Sequence, residues 1–250
     1  MAGHSKWANI KHRKAAVDAK RGKVFTKVIR ELTVAARQGG ADTEANPRLR
    51  TAVALAKSHN MPGDTIDRAI KRGSGGTDGA DFQEIFYEGY GPGGSAVYVR
   101  ALTDNKNRTV SDIRHIFSKH GGSLGENGCV SWMFEMKGRI DFPADVDAEK
   151  LFDAAIEAGA DDVLSEDGES AVITAVDSFE KVKQSLEAAG FKHEAAAVTM
   201  IPTNNVRIEG REANKMIQLV ETLEDSDDVQ NVYANFDIDD KLLEELSEGQ

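Results

Sequence analysis

Apolar residues in the first third of the chain recur at spacings of three and four, the period of an amphipathic helix. The first such segment spans 23–40 and ends at Gly39 and Gly40. A second starts at the helix cap Asn46, and a third covers 61–73 with Gly73 as its stop. Three short amphipathic helices with short connections predict a small helical bundle.

Beyond a glycine-rich stretch at 73–81, which predicts a hinge, the pattern changes from helical spacing to alternation. Residues 84–103 predict two strands joined by a turn at 91–94. A helix is expected over 108–122 and a further strand over 129–135.

The segment 137–202 predicts the order strand, helix, strand, strand, helix, strand, which is a complete ferredoxin-like unit. The pieces before and after it each contain a strand, a helix and a strand, so together they can complete one further domain. The predicted fold class is α+β, with an N-terminal three-helix module plus two ferredoxin-like α+β domains, one inserted in the other. The expected parts are a basic arm and three-helix bundle at 1–76, one α+β domain made of 77–134 with 205–240, an inserted domain at 135–204, and an acidic tail at 241–250.

The balance of charge changes sign after residue 76, where the helical module is expected to end. The formal net charge is -11, yet residues 1–76 carry a balance of +10 and the remaining residues a balance of -21. The first 30 residues contain nine lysines and arginines against one acid, Asp18. This asymmetry predicts a polyanion-binding module joined to an acidic body.

The basic arm and the polar face of the first helix are the candidate nucleic-acid contacts. Lysine and arginine neutralise phosphates, and the Trp7 ring can stack on an unpaired base. Alternatively, Trp7 is a hydrophobic peg that pins the arm to the bundle, and the basic face is only a solvated surface. The candidate residues are His4, Lys6, Trp7, Lys11, His12, Arg13, Lys14, Lys20, Arg21, Lys23, Lys27 and Arg30.

The polar loop at 103–109 joins a predicted strand to a helix N-terminus. Asn107 or Thr109 can cap that helix. Alternatively, Lys106 and Arg108 form a secondary phosphate contact beside the positive end of the helix. Capping is the favoured interpretation.

The sequence offers no candidate catalytic residue, metal site or cofactor site. The turn at 91–94 lacks the lysine of a phosphate loop, and Cys129, the single cysteine, lies in a strand pattern that favours a buried small hydrophobe. No apolar stretch reaches 18 residues, and the N-terminus lacks the apolar region of a secretory signal. We therefore expect a non-enzymatic, cytoplasmic protein that does not contact a membrane.

Several stretches resemble the YebC family. They are AGHSKWANIKHRKAAVDAKRGKVFTK, NPRLRTAVALAKSHNMP, YEGYGPGG, and ALTDNKNRTVSDIRHIFSKHGGSLGENGCVSWMF. The resemblance implies three domains and a non-enzymatic cytoplasmic protein. Bacterial members are described as DNA-binding transcriptional regulators, and mitochondrial relatives as translational activators.

The expected function is that of a non-enzymatic nucleic-acid-binding regulator of gene expression, which holds the phosphate backbone with its basic arm and helix face. The alternative is a translation factor that binds the ribosome or ribosomal RNA and relieves stalling or activates translation. The exposed face is mostly lysine, which contacts phosphate, and no base-reading helix stands out. The expected partners are DNA or ribosomal RNA, with a ribosomal or transcription-machinery protein surface as a second contact.

Overall fold

The computed structural model describes residues 19–75, 81–166 and 169–239. Its helices are α1 (Ala19–Gly39), α2 (Pro47–Ser58), α3 (Gly63–Ser74), α4 (Lys106–Lys119), α5 (Ala148–Ala158), α6 (Phe179–Ala188) and α7 (Gly210–Glu224). Its strands are β1 (Gln83–Tyr90), β2 (Ala96–Thr103), β3 (Ser123–Leu124), β4 (Phe134–Phe142), β5 (Asp162–Glu166), β6 (Glu169–Thr174), β7 (Ala195–Pro202), β8 (Val206–Arg207), β9 (Val229–Ala234) and β10 (Phe236–Asp237).

Helices α1, α2 and α3 form the N-terminal module around their own apolar core, which includes the fully buried Leu32 and Leu49. Two predicted boundaries are confirmed. Gly40 follows α1 with a φ of +85°, a conformation that glycine adopts without strain. Asn46 caps α2, since its side-chain oxygen accepts a hydrogen bond from the amide of Leu49.

The expected role of Gly73 is wrong, because α3 continues to Ser74. A Cβ atom at position 73 would lie 2.2 Å from the carbonyl oxygen of Thr33 in α1. Gly73 therefore allows two helices to approach closely and does not end one of them. Most of the predicted hinge, 76–80, lies outside the described residues.

The first sheet has the strand order β3-β1-β2-β9, and its neighbouring strands are antiparallel. Strands β1 and β2 form the expected hairpin around 91–94. Helices α4 and α7 pack on one face of the sheet, where Phe117 and Met216 belong to one buried cluster. Residues on both sides of the segment 135–204 thus contribute to a single sheet.

The second sheet contains β4, β5, β6 and β7 in the order β5-β6-β4-β7, all antiparallel. With α5 after β4 and α6 after β6, this is the strand order of the ferredoxin-like unit expected from the sequence. Strand β4 lies between the two flanking pieces of the first sheet in the chain, as an insertion requires. The tail at 241–250 lies outside the described residues.

The strand expected over 129–135 begins later, at Phe134, after one short turn of 3-10 helix at 131–133. The buried carboxylate of Glu88 accepts hydrogen bonds from the amides of Gly128, Val130 and Ser131 at 2.7–2.8 Å. These bonds curl the backbone into a loop, so Cys129 lies in a loop and is only partly buried.

Within the described residues, no helix is long and apolar enough to cross a membrane. The same residues contain no group of three or more His, Cys, Asp or Glu side chains placed to hold a metal ion.

Candidate nucleic-acid interface

The basic face of α1 does not point into open solvent; an acidic turn after α7 covers part of it. Lys23 lies 3.5 Å from the carboxylate of Asp225, and the Lys27 ammonium donates to the carbonyl oxygen of Glu224. Arg30 donates to a carboxylate oxygen of Asp228 at 2.6 Å. We call residues 224–228 the acidic turn. It gives two predicted phosphate contacts, Lys23 and Arg30, a carboxylate partner inside the protein, and it gives Lys27 a carbonyl oxygen.

Asp228 is the centre of this contact. Its side chain is 8% exposed, that of Arg30 is 14% exposed, and Arg108 donates to the same carboxylate at 2.9 Å. The Thr109 hydroxyl donates to it at 2.6 Å. Burial favours a higher pKa for Asp228, but the hydrogen bonds from Thr109, Arg108 and Arg30 outweigh it and lower the pKa below its usual value.

The loop at 103–109 is built around this carboxylate. Asn105 caps α4 by accepting the amide of Arg108 at 3.1 Å, so the cap lies two residues before the expected Asn107. Thr109, the other expected cap, instead binds Asp228. Arg108, one of the two predicted secondary phosphate contacts, also pairs with Asp104. The other, Lys106, is exposed beside a depression of about 300 Å³.

A second ionic network joins the N-terminal module to the first sheet. Arg48 of α2 and Arg100 of β2 each pair with both Glu31 of α1 and Glu84 of β1, at distances of 2.6–3.0 Å. Burial favours a higher pKa for Glu84, but the charge of Arg100 and the hydrogen bonds from both arginines lower it. Two charges of each sign therefore neutralise one another at this contact between the module and the body, which we call the joint.

These contacts attach the module to the body mainly through polar groups. The module core draws only on residues of 24–70, and the core of the first sheet begins at Ile85. The guanidinium of Arg30 also lies 5.3 Å from the ring centre of Phe82, a cation–π contact. By contrast, an apolar cluster containing Tyr98 and Phe134 joins the first sheet to the second.

Helix α3 carries basic side chains that the acidic turn does not cover. Arg68, Lys71 and Arg72 are exposed, and no ion pair involves them within 19–75, 81–166 or 169–239. Sequence reasoning missed them because it treated α3 only as a source of core residues. The spacing of four between Arg68 and Arg72, which places both on one side of the helix, was the signal that could have revealed them.

The remaining predicted contacts belong to the arm or to the beginning of α1. Lys20 and Arg21 lie in α1, although their side chains are not among the described parts of the structure. The other predicted contacts lie outside the described residues: His4, Lys6, Trp7, Lys11, His12, Arg13 and Lys14.

Comparison with known proteins covers nearly the whole chain. Residues 5–76 match the model of the TACO1/YebC protein N-terminal domain, and residues 82–236 match that of the TACO1/YebC second and third domain. A probable transcriptional regulatory protein of Geotalea uraniireducens is 58% identical over 246 residues, which are 98% of this chain and 100% of the relative. One of Thermotoga petrophila is 55% identical over 248 residues, 98% of each chain.

A solved structure agrees with this assignment. The crystal structure of a conserved hypothetical protein from Aquifex aeolicus superposes with a TM-score of 0.80 at 50% identity, covering 90% of this chain and 94% of that one. The two family models together span most of the sequence. The chain therefore belongs to the TACO1/YebC family.

Proposed function

We propose that this protein is a non-enzymatic regulator of gene expression that binds nucleic acid through its N-terminal third. The observation that carries the proposal is the division of charge, +10 over residues 1–76 against -21 over the rest. A module with this balance attracts polyanions, while the acidic body is repelled by them, so only one end of the molecule is expected to bind.

The contacts of α1 with the acidic turn support the proposal that α1 is part of the nucleic-acid-binding surface. Lys23, Lys27 and Arg30 already hold carboxylate or carbonyl oxygens, the same class of acceptor that phosphate provides. Lys23 and Asp225 remain 48% and 63% exposed, so a polyanion can compete for this lysine. Arg30 is only 14% exposed, and we assign it to the contact with the body rather than to phosphate contact.

The names of the relatives support a role in gene expression. Those from Geotalea uraniireducens and Thermotoga petrophila are called probable transcriptional regulatory proteins. On this ground DNA is the first candidate ligand, and the transcription machinery is a candidate second partner.

A translation factor that binds the ribosome or ribosomal RNA is the second candidate function. Within the described residues, the basic side chains of α1 and α3 are lysines and arginines, and α3 contains no Asn or Gln that could read a base edge. Such a surface holds a phosphate backbone and accepts structured RNA as readily as duplex DNA.

The decisive experiment measures binding across a salt series with labelled duplex DNA and structured RNA. With about 3–5 phosphates neutralised, we expect log K to fall against log[salt] with a slope of roughly -3 to -5. Reversing Lys11, Arg13 and Lys14 to Glu should weaken binding and flatten the slope. A slope near zero in the wild-type protein contradicts the proposal.

Ultraviolet crosslinking in living cells separates the two candidates. Ribosomal RNA attached to the N-terminal third supports the translation factor. Discrete promoter DNA without a ribosomal RNA signal supports the transcriptional regulator.

A further inference from the structure

A shallow depression lies on the surface of the N-terminal module between α1 and α3. It has a volume of about 240 Å³, and Ile29 of α1 lines it together with residues of α3. The lining residues of α3 are Thr65, Arg68, Ala69 and Arg72. The α1 residues that bind the acidic turn are not among them, so this surface is separate from the joint. We propose that it binds a single-stranded segment of RNA.

The charge of the depression suits a polyanion. Arg68 and Arg72 lie one turn apart, about 6 Å along the helix axis, on the same side of α3. Arg68 donates to the carbonyl oxygen of Asp64 and to the hydroxyl of Thr65, at 3.0 and 3.2 Å. These bonds orient the guanidinium without neutralising it. Asp67, the acid next to Arg68 in the sequence, is not part of the lining.

The apolar floor and small size favour an unpaired base as the inserted group. Ile29 and Ala69 contribute the apolar side chains, and the planar guanidinium groups at the rim can stack on a base. The volume of about 240 Å³ is below the range of about 300–1,000 Å³ that holds drug-sized ligands, so the depression suits a group no larger than a single base. A paired base in a duplex is stacked inside the helix and cannot enter. RNA offers unpaired bases in its loops and bulges.

The depression borders the middle of α1. Ile29 follows Ala19 by ten residues of α1, about 15 Å along the helix axis. The arm of the sequence, residues 1–18, joins α1 at this end. The inference rests on the proposed function, since it names a ligand class and a site for the same module.

The test compares the wild-type protein with the double variant Arg68→Ala, Arg72→Ala, using a labelled single-stranded RNA, a DNA of the same sequence, and its duplex. We expect the wild-type protein to bind single-stranded RNA at least 10-fold more tightly than duplex DNA. The double variant should lose about 10-fold or more in RNA affinity, and its salt slope should shrink by about 1.4, because each lost phosphate contact on a single strand contributes about 0.7.

The matched control is the double variant Lys57→Ala, Lys119→Ala, which removes the same charge from exposed positions outside the depression. It should bind RNA nearly as the wild-type protein does. The variant Arg68→Lys, Arg72→Lys should restore the salt slope but not the preference for single strands, because lysine cannot stack.

Three results overturn the inference. The first is wild-type affinity for RNA in the Arg68→Ala, Arg72→Ala variant. The second is an equal loss of RNA affinity in the control variant Lys57→Ala, Lys119→Ala. Equal binding of duplex DNA and single-stranded RNA by the wild-type protein also rejects it. If binding depends on Lys11, Arg13 and Lys14 but not on the two arginines, the proposed function stands and this site falls. If the wild-type protein binds none of the three probes, both fall.

Discussion

At the scale of single residues, the structure explains positions whose sequence context suggests another role. Gly73 resembles a helix stop, yet its missing side chain makes room for the Thr33 carbonyl of the neighbouring helix. Glu88 resembles one of many surface acids in an acidic body, yet it is buried and accepts three backbone amides. Both roles depend on groups distant in the sequence.

Substitution of Gly73 tests the close contact of α1 and α3. In a free helix Gly→Ala stabilises by about 0.5–1 kcal/mol. For Gly73→Ala we expect destabilisation of about 1–3 kcal/mol, because the new Cβ overlaps a backbone oxygen that cannot rotate away. Chemical denaturation measures the change. Gly22→Ala in α1 is the control, since no atom lies within 4 Å of its Cβ position, and it should not destabilise. Equal behaviour of the two variants contradicts the steric explanation.

Glu88 should make stability depend on pH. Burial favours a higher pKa, but the backbone amides of Gly128, Val130 and Ser131 outweigh it and lower the pKa of Glu88. A carboxylate with a lowered pKa in the folded state stabilises at neutral pH, and this contribution is lost as pH falls through that pKa. Glu88→Gln should therefore cost about 1–3 kcal/mol at pH 7.

The difference between Glu88→Gln and wild type should shrink as the pH is lowered through the acid range, as followed by denaturation at a series of pH values. The control Glu126→Gln alters an exposed acid of the same loop and should be nearly neutral throughout. A constant difference in the free energy of unfolding between Glu88→Gln and wild type over the acid range argues against stabilisation by the ionised carboxylate of Glu88.

At the scale of elements, helix α1 has two partners and not one. Its apolar stripe packs on α2 and α3, as its periodicity predicts. The acidic turn, at the end of α7, packs against the opposite face of α1. The contacting residues Arg30 and Asp228 are 198 positions apart in the sequence. A basic amphipathic helix is therefore partly covered on both sides.

A double-mutant cycle on Arg30→Met and Asp228→Asn measures this contact. Each single change leaves buried charges or donors without their partner, so we expect a cost of about 3 kcal/mol each. The coupling energy should be about 1–3 kcal/mol, because the groups touch and are nearly inaccessible to water. The exposed pair Arg207 and Glu209 serves as the comparison and should couple by less than about 1 kcal/mol. A coupling energy near zero for Arg30 and Asp228 refutes the structural role of this pair.

At the scale of the whole molecule, the two joints differ in kind. The N-terminal module meets the body through ion pairs and hydrogen bonds, whereas the two sheets meet through an apolar cluster that includes Val130 and Phe134. Salt screens exposed charge pairs such as Lys23 and Asp225 more than buried ones such as Arg30 and Asp228, and it leaves apolar contacts intact. Of the two joints, that of the module is therefore the one expected to loosen at high salt or when a polyanion competes for its lysines.

Energy transfer between two dyes measures that response. The dyes are attached to Ser58→Cys in the module and Ser118→Cys in the body, in a Cys129→Ser background. They should move apart when salt rises from about 0.1 M to about 1 M, because the Debye length falls to about 3 Å. A nucleic acid that competes for Lys23 and Lys27 should have the same effect at low salt. The control pair Ser118→Cys and Ser178→Cys spans the apolar joint and should show unchanged transfer. Constant transfer in both pairs means that the module is rigidly attached.

The sequence by itself determined the three N-terminal helices, the Asn46 cap, the ferredoxin-like order of the second sheet and the division of charge. These features follow from local spacing, because a helix or strand shows its buried face in the period of its own apolar residues. The domain limits and the arm contacts stay predictions.

Only the tertiary structure decided which polar groups are already used inside the protein. Periodicity shows that a face is basic, but it does not show which distant segment lies against that face. The acidic turn reaches Lys27 and Arg30, the Thr33 carbonyl lies against Gly73, and Arg68 and Arg72 border an open depression. Each of these facts depends on packing between segments that are far apart in the chain or on separate helices, which is why the sequence pattern could not supply them.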